Sequence, residues 1–490
     1  MSTTDETMPL VPKSPKLIWY DEVDELSSID EVNGRNALIL TREAMSIGKS
    51  SIPLTVTFFL QYSLTVVSIF SVGQMGKEEL AAISLAIMTL NVSISVFNGM
   101  ATCLDTFCAQ AYGGKKYHLV GLYFQRCTAM ILVFAIPIMI MWYYSGYLLS
   151  FIVPQDEKKL VLLAQTYLRY ISFGAPGYIF FETGKRFLQA QHIFTAGQYS
   201  LFIVAPINVL LNYLLVWNSR VGLGFIGAPI STAISYWLMS FILLGYAIFI
   251  DGKECWFGLN VRESFNFKEW GSMMSLALNG TAMLLSEFVA FEILTLSASR
   301  FGTSSLAAQS IASTVATLSF QIPFAVSVAV STQLANYIGA QNLQSANTTL
   351  RVARIFAFGL GLVNCVVLVV FGKSIAASFT NEDGVTNLAV VVLRILGINQ
   401  LYDCPNILFA GCLRGQGRQH VGSILNLLAY YVLAVPLALV LGFRFQFGLF
   451  GLWSGLGVGI FTLASSEYWF LKNSNWDAIL LASRHRNFYH

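Results

Sequence analysis

Apolar runs of about 20 residues recur along most of the chain, and each is long enough to cross the hydrocarbon layer of a membrane as a helix. They constrain the fold more than any other feature of the sequence. Only 11% of the 490 residues are charged, whereas soluble proteins have about 25%. The runs are continuous rather than alternating, which argues against a membrane β-barrel. The sequence therefore predicts an all-α polytopic membrane protein.

Hydropathy divides these runs into twelve predicted transmembrane helices. They cover residues 50–72, 80–102, 121–143, 163–185, 196–217, 225–250, 271–297, 305–330, 351–372, 388–411, 421–442 and 448–471.

The two halves of the chain resemble each other. Three pairs of segments align at an offset of 226 or 225 residues: GKEELAAISLA (76–86) with GTSSLAAQSIA (302–312), AQAYG (109–113) with ANYIG (335–339), and FLQAQ (187–191) with CLRGQ (412–416). Because six spans precede the repeat, both halves share one topology. We therefore predict two six-helix pseudo-symmetric lobes, related by an axis along the membrane normal.

Polar segments divide the chain further. The predicted parts are an acidic tail (1–45), an N-terminal lobe (46–250), a cytoplasmic linker (251–270), a C-terminal lobe (271–472) and a short cytoplasmic tail (473–490). The acidic tail is typical of a disordered segment. It has no apolar core of the kind that a cleaved signal peptide requires.

Basic residues indicate the orientation in the membrane. If both termini are cytoplasmic, the inner loops and tails carry about 20 Lys and Arg residues, and basic loops stay in the cytoplasm. The outer loops then carry only Lys77, Lys158, Lys159, Arg220, Arg300, Lys373 and Arg444. We expect cytoplasmic termini in the plasma membrane or the vacuolar membrane, both of which have an acidic far side. We also expect a monomer without nucleic-acid partners.

Two glutamates in the seventh span are the first candidates for function. Glu287 and Glu292 lie well inside this span, which has no Lys or Arg before Arg300. A carboxylate at the centre of a bilayer costs about 2.5–3.5 kcal/mol, so a purely structural role is not expected. Five helical residues separate the two side chains by about 140° and ~7.5 Å. One therefore faces the lobe interior while the other faces a central cavity.

Asp403 in the tenth span is the third candidate. Asn399, Gln400 and Asn406 lie nearby, and Pro405 follows two residues later. Proline removes a backbone donor and opens the helix, and freed carbonyls beside a carboxylate suit a proton or a cation. A sodium ion at Asp403 is one of these alternatives.

Two acids near helix ends have simpler explanations. Glu182 precedes Lys185 and Arg186 by three and four residues, a spacing that forms ion pairs on one helix face. Asp105 lies near the loop that carries Lys115 and Lys116, so anchoring is favoured there over gating. Asp105, Glu182 and Arg186 are thus candidates for a gate or for structural ion pairs.

The positions of the remaining titratable residues indicate which residue type carries protons. All five histidines (118, 192, 420, 485 and 490) fall in predicted loops or the tail, which leaves carboxylates as the proton carriers. Glu467 lies near the end of the twelfth span and is expected to reach the interface. The seven cysteines show neither metal-ligand spacing nor a disulfide framework. We expect no cofactor and no metal site other than the sodium alternative.

Polar and aromatic side chains of several spans are candidates for a substrate pocket. Aromatic rings stack on organic cations, and amides provide hydrogen bonds. The candidates are Gln61, Tyr62, Tyr178, Trp237, Asn279, Phe291, Asn399, Gln400 and Asn406.

Several motifs resemble those of the multidrug and toxic compound extrusion (MATE) family, in its eukaryotic, fungal-like branch. They are LAAISLA with GMATCLDTFCAQAYG, LAAQSIA with IPFAVSVAVSTQLANYIGA, FETGKRFLQAQ and GCLRGQGRQHVG. The resemblance covers roughly residues 45–472.

The resemblance implies an antiporter that exports organic, often cationic compounds by alternating access. The paired acids of the family fall on Glu287 and Glu292, its tenth-span acid on Asp403, and its first-span glutamine on Gln61. Animal organic-cation transporters of the family carry a further glutamate in the eighth span, where this chain has Thr314. The expected substrate range therefore differs.

The expected function is proton-coupled export of cationic drugs or metabolites. Two alternatives share the fold: a sodium-coupled antiporter, and a lipid or oligosaccharide flippase of the wider superfamily, which would need a basic cavity. The predicted spans contain no nucleophile–base pair, so the sequence gives no indication of an enzyme.

Overall fold

The computed structural model of the chain describes residues 29–150, 158–380 and 382–488, and these residues form helices and no β-strand. The α-helices are α1 (Ile29–Gly73), α2 (Lys77–Ala101), α3 (Cys103–Gly113), α4 (Tyr117–Tyr143), α5 (Ser145–Leu149), α6 (Lys158–Ser172), α7 (Ala175–Ala190), α8 (Thr195–Asn212), α9 (Gly227–Phe249), α10 (Val261–Ser264), α11 (Trp270–Ser299), α12 (Thr303–Gly339), α13 (Leu343–Phe379), α14 (Asp383–Gln416), α15 (Gln419–Leu427), α16 (Val435–Leu439), α17 (Gly448–Lys472) and α18 (Trp476–Phe488). Short π-helical segments follow α8, α15 and α16.

Within these ranges, eleven helical segments are long and apolar enough to cross a membrane. They correspond to every predicted span except the fourth, which confirms the polytopic all-α fold. The predicted fourth span, 163–185, is divided instead into α6 and α7 at Phe173 and Gly174. These two helices run antiparallel to α4, because Gln165 bonds the carbonyl of Tyr143 and Thr183 bonds Thr128.

The contacts between the two halves obey the internal repeat. A Cβ atom on Gly113 would overlap the carbonyl of Asn336, and one on Gly339 would overlap the carbonyl of Gln110. At the offset of 226 residues, Gly113 corresponds to Gly339 and Gln110 to Asn336, so the two contacts are equivalent. α3 and α12 therefore approach backbone to backbone about a pseudo-twofold axis, and only glycine fits at the two crossing points.

The first helix of each half packs partly against the opposite half. Ile47 and Leu54 of α1 share a core with α12, α13 and α14, and Glu43 accepts hydrogen bonds from Tyr337 and Thr349. In the same way, the first half of α11 shares a core with α2 and α4. The packing of α1 and of the first half of α11 against the opposite lobe joins the two lobes.

One face of the helical bundle carries residues 251–270, the ends of α3 and α12, and α18; we call it the linker face. Hydrogen bonds between the lobes extend from this face as far as Thr281, which bonds the carbonyl of Val96. From there to the opposite face, called the far face, the described residues form no hydrogen bond or ion pair between lobes. The lobes are thus joined at the linker face.

The N-terminal end of the chain differs from the prediction. The helix α1 begins at Ile29, so residues 29–45 are helical rather than disordered; residues 1–28 lie outside the described part. The C-terminal tail, for which no secondary structure was predicted, forms α18, which packs against α3 and α12. Contacts with the rest of the protein stabilise these terminal helices, and polar composition alone does not show such contacts.

Candidate functional site

A narrow cleft lies between α11, α12, α14 and α15. Its polar walls are Glu287, Asn406, Arg414 and Asn426, and its apolar walls include the rings of Phe320 and Phe324. Four helices of one lobe thus surround a carboxylate, two amides and a guanidinium. The cleft combines acidic and aromatic groups, as a site for an organic cation requires.

Asp403 lies one turn before Asn406 on α14. The amide of Gln400 donates to its Oδ2 at 3.4 Å, and Asn364 of α13 donates to Gln400 at 3.0 Å. Its Oδ1 is buried and has no hydrogen-bond partner among the residues that the structure describes. The helix α14 continues through Pro405, so the opening of the helix that the sequence predicted there is wrong. Packing against α12, α13 and α17 holds the proline inside a continuous helix.

Glu287 and Asp403 form an electrostatically linked pair. Two charged groups interact electrostatically with Glu287: the negative charge of Asp403 disfavours its ionised form, and the positive charge of Arg414 favours it. Glu287 makes no hydrogen bond or ion pair within the described part of the chain. Two like charges near each other in a poorly hydrated site are not ionised together easily, so such a pair tends to retain a proton.

Glu292 lies apart from this pair. It is only partly buried, and no charged group of residues 29–150, 158–380 or 382–488 acts on it electrostatically. The neighbouring Phe291 contacts Trp453, whose indole donates to Gln309 at 2.8 Å. The two glutamates of α11 therefore face different surroundings, as their spacing predicted.

A separate buried charge cluster occupies the N-terminal lobe. Glu182 accepts from Lys185 and Arg186 at 2.8 Å each, and Arg186 also contacts Asp105 at 3.2 Å. Gln61 donates to Glu182 at 2.8 Å. The ion pairs of Glu182 confirm the spacing argument. Asp105, however, pairs with Arg186 across helices rather than with Lys115 or Lys116, because α3 and α7 are in contact.

Arg414 connects this cluster with the cleft. Its Nε lies 3.7 Å from Asp105 Oδ2 in the opposite lobe, and its Nη2 donates to Ser327 at 3.0 Å. Around it, Thr106 donates to the carbonyl of Arg414 and Gln110 to that of Gly415. The end of α14 is thus tied to α3 by side-chain and backbone contacts.

The other predicted pocket residues do not line the cleft, and most of them hold helices together. Asn399 donates to the carbonyl of Trp453, Asn279 accepts from Ser423, and Tyr178 donates to Asn98. Trp237 donates to the carbonyl of Phe173. Tyr62 is partly buried in α1. Their distribution over both lobes does not form one pocket.

Three residues around the cleft and Asp403 were missed by sequence reasoning. Arg414 follows the predicted tenth span and was read as a loop residue, and Asn364 and Asn426 were read as ordinary residues of their spans. The available signal was the FLQAQ–CLRGQ repeat. This repeat aligns the end of α14 with the end of α7, where Lys185 and Arg186 belong to the charge cluster. A functional basic residue could therefore be expected near the end of α14 as well.

Comparison with known proteins supports the same architecture. The MatE family model matches residues 53–214 and 281–440, one match in each lobe. A solved structure described as the eukaryotic MATE transporter AtDTX14 superimposes with a TM-score of 0.83 at 25% identity, and the match covers 92% of this chain and 100% of that one.

Two relatives extend the likeness over most of the chain. The uncharacterized transporter YDR338C of Saccharomyces cerevisiae is 44% identical over 94% of this chain and 66% of its own length, so the chain spans about two thirds of that protein. Multidrug and toxin extrusion protein 2 of Mus musculus is 27% identical over 98% of this chain and 83% of its own length. Because the family model matches both halves, the chain belongs to the MatE family of membrane transporters.

Proposed function

We propose that this protein exports organic cations in exchange for protons by alternating access, with Glu287 and Asp403 as the coupling carboxylates. One observation carries the proposal: these two acids lie together in the C-terminal lobe, and neither forms an ion pair within 4.0 Å among the described residues. Asp105 and Glu182, by contrast, are neutralised by bound Lys and Arg side chains. Only acids without a fixed counter-charge are available to a proton or a cationic substrate.

The orientation follows from the distribution of basic residues. We place the linker face in the cytoplasm, because the inner loops carry most of the Lys and Arg residues. The present conformation then has its interlobe hydrogen bonds on the cytoplasmic side and, among the described residues, none toward the far side. Either the plasma membrane or the vacuolar membrane supplies the acidic far side that a proton antiporter needs.

A transport cycle follows from this arrangement. In the inward-open state, an organic cation binds an ionised carboxylate of the Glu287–Asp403 pair, and Phe320 and Phe324 cover its apolar part. After the lobes rock, protons from the acidic side neutralise the carboxylates and displace the cation. The neutral site then returns to the cytoplasmic side. Glu292, in different surroundings on α11, is proposed as a second acid that contributes to coupling from outside the cleft.

Uptake into proteoliposomes tests the proposal. The purified protein is reconstituted, a pH gradient is imposed, and uptake of a fluorescent organic cation is followed with and without a sodium gradient. Wild-type protein should take up the cation only with the pH gradient, and Glu287→Gln should abolish this uptake. Glu382→Gln, at an exposed position outside the cleft, is the matched control and should transport like wild type. Uptake at the wild-type rate in Glu287→Gln would contradict the role of Glu287.

The same experiment distinguishes the alternatives. Uptake that follows the sodium gradient and is lost in Asp403→Asn would assign the coupling ion to sodium near Asp403. Absence of uptake under either gradient would favour a flippase, for which Arg414 is the basic group of the cleft. Flipping of a fluorescent phospholipid would then be measured in the same vesicles.

A further inference from the structure

Glu467 of α17 is an acid that the transport cycle above does not use. Its side chain is 0% exposed, and within the described part of the chain neither carboxylate oxygen has a hydrogen-bond partner. It also forms no ion pair within 4.0 Å among the residues the structure describes. The expectation that it reaches the membrane interface is therefore wrong, because the side chain points into the lobe. A carboxylate without any partner is not stable in such a place, so the group binds a proton.

Glu467 lies beside the end of α14. The next residue, Tyr468, contacts the ring of Phe409, and Phe470 accepts a hydrogen bond from Arg418 at 3.1 Å. These contacts place Glu467 alongside the turn that carries Arg414. Arg414 is the cation that acts on Glu467, although the two side chains are not in direct contact in this conformation.

Arg414 depends on the opposite lobe for its counter-charge. Asp105 is the anion within 4.0 Å of it, at 3.7 Å, and the Nε atom of Arg414 has no hydrogen bond. Asp105 is held more closely by Arg186 of its own lobe, at 3.2 Å. If the lobes separate at the linker face, Asp105 remains with Arg186 and Arg414 is left without an anion. Its hydrogen bond to Ser327 remains, but a buried guanidinium without a counter-charge is strongly unfavourable.

We propose that Glu467 is a proton-binding positioning residue that replaces Asp105 as the partner of Arg414 when the linker face opens. This proposal rests on the alternating access proposed above. In the closed state Glu467 is a neutral carboxylic acid and Arg414 pairs with Asp105. On opening, Glu467 releases its proton to water entering from the linker face, and its carboxylate pairs with Arg414. Both side chains belong to one lobe and move together, so the exchange needs only side-chain rotation.

The groups around Glu467 agree with this exchange. α14 presents Arg414 and Cys412, α11 presents Glu287, and the π-helical segment after α15 presents Tyr430. α15 carries one titratable residue, His420, in its first turn, and α16 carries none. Two further cations belong to segments near α17: Arg418 donates to the carbonyl of Phe470, and Arg444 ends the π-helical segment after α16. Arg414 is the cation that acts electrostatically on Glu467. The hydroxyl of Tyr430 is buried without a partner and provides a donor for the ionised form.

Substitution by glutamine separates the proposal from a packing role. Glutamine has the shape of a protonated glutamate but never ionises. If Glu467 only fills space as a neutral acid, Glu467→Gln should transport like wild type. If Glu467 must ionise, Glu467→Gln should bind the cation with nearly unchanged affinity while uptake falls at least about tenfold, because the open state loses the partner of Arg414.

Infrared difference spectroscopy provides the direct readout. A pH step applied to reconstituted wild-type protein should show loss of a protonated-carboxyl band as the pH rises, and this component should be missing in Glu467→Gln. Asp105→Asn should weaken the band already in the resting protein, because Arg414 then lacks its first partner. An unchanged band in Glu467→Gln, or uptake in Glu467→Gln within about twofold of wild type, would overturn the proposal.

Glu467→Asp keeps the test decisive if Glu467→Gln does not fold. The shorter acid should retain uptake with a shifted pH profile, whereas a profile equal to that of wild type would contradict the exchange. Failure of the proposed antiport is a separate result: wild-type vesicles would then show no gradient-driven uptake, while the carboxyl band still reports whether Glu467 is protonated.

Discussion

Buried acids of this protein differ in whether a fixed cation neutralises them. Glu182 and Asp105 are held by Lys185 and Arg186 inside the N-terminal lobe, whereas Asp403 and Glu467 retain buried oxygens without partners. The first type has a counter-charge fixed by the fold, as a structural ion pair requires. The second type changes its energy strongly on gaining or losing a proton, which is the property that a coupling site needs.

The ion pairs of Glu182 give a prediction at the scale of single residues. Glu182→Gln leaves Lys185 and Arg186 buried with fewer counter-charges, and breaking a buried pair costs about 3–5 kcal/mol. The variant should lose much of its thermal stability in detergent, measured as the apparent Tm by fluorescence-detected size exclusion.

Glu78→Gln is the matched control for this prediction. Glu78 also pairs with a lysine, Lys159, but the side chains are 61% and 68% exposed. Exposed pairs contribute about 0–1 kcal/mol, so the control should keep nearly the wild-type Tm. Equal losses in the two variants would show that burial does not determine the stability contribution of these pairs.

Sequence reasoning identified the acids but only some of their partners. Glu182 and its basic neighbours lie on one helix, so spacing was sufficient. Asp105, Arg186 and Arg414 lie on three helices from two lobes, and their pairing depends on how those helices pack. The sequence contains no local signal for such contacts.

Helical elements meet most closely where α3 crosses α12, and this contact gives the second prediction. Gly339→Ala places a methyl group against the backbone carbonyl of Gln110, which neither helix can avoid without moving. The variant should have a lower Tm, and the closed linker face should become less stable. Hydrogen exchange of residues 103–113 should therefore be faster than in wild type.

Gly359→Ala is the control for that change. Gly359 lies in α13 with no atom near the position of an added Cβ, and alanine favours a helix by about 1 kcal/mol over glycine. This control should match or exceed the Tm of wild type. If Gly339→Ala behaves in the same way, the crossing point tolerates a side chain and the close approach is not required.

The helix α18 gives the third prediction, which also belongs to the element scale. Arg486 donates to Gln110 at 2.8 Å, Tyr123 donates to the carbonyl of Arg486, and Arg484 donates to Gln341 beyond the end of α12. α18 therefore connects both lobes at the linker face. Arg486→Ala should increase hydrogen exchange in α18 and in α3, whereas Arg220→Ala in an exposed loop should not. Unchanged exchange in α18 would show that the connection is too weak to hold the lobes.

Sequence-based predictions of the helices were limited because tertiary contacts leave no local signal in the sequence. Eleven spans were recovered because long apolar runs need no tertiary information. The fourth span carries Arg169, Glu182 and Lys185, and its division at Phe173 and Gly174 depends on packing against α4. The order of α18 was not visible either, since its residues form contacts only with the assembled lobes.

The whole molecule is where the sequence was most informative. A repeat of 226 residues predicted two lobes of equal topology, and the reciprocal contacts of Gly113 with Asn336 and of Gly339 with Gln110 follow this offset. What the repeat does not reveal is the conformational state, because one amino-acid sequence is compatible with every state of the cycle. Closure at the linker face follows from the contacts between lobes alone.

Alternating access predicts opposite movements at the two faces, and the repeat supplies the positions for measuring them. Leu80 and Leu306 are equivalent residues near the far face, and Tyr117 and Leu343 are equivalent residues at the linker face; all four side chains are 36–39% exposed. Spin labels at each pair report one interlobe distance by electron–electron double resonance.

Addition of a transported cation at high pH should shift the population toward an open linker face, so the Tyr117–Leu343 distance should lengthen while the Leu80–Leu306 distance shortens. In Glu287→Gln, which cannot ionise and therefore cannot bind the cation through this carboxylate, neither distance distribution should change when the cation is added. If the two distances change in the same direction, the lobes do not alternate, and the rocking motion on which the transport cycle depends would have to be abandoned.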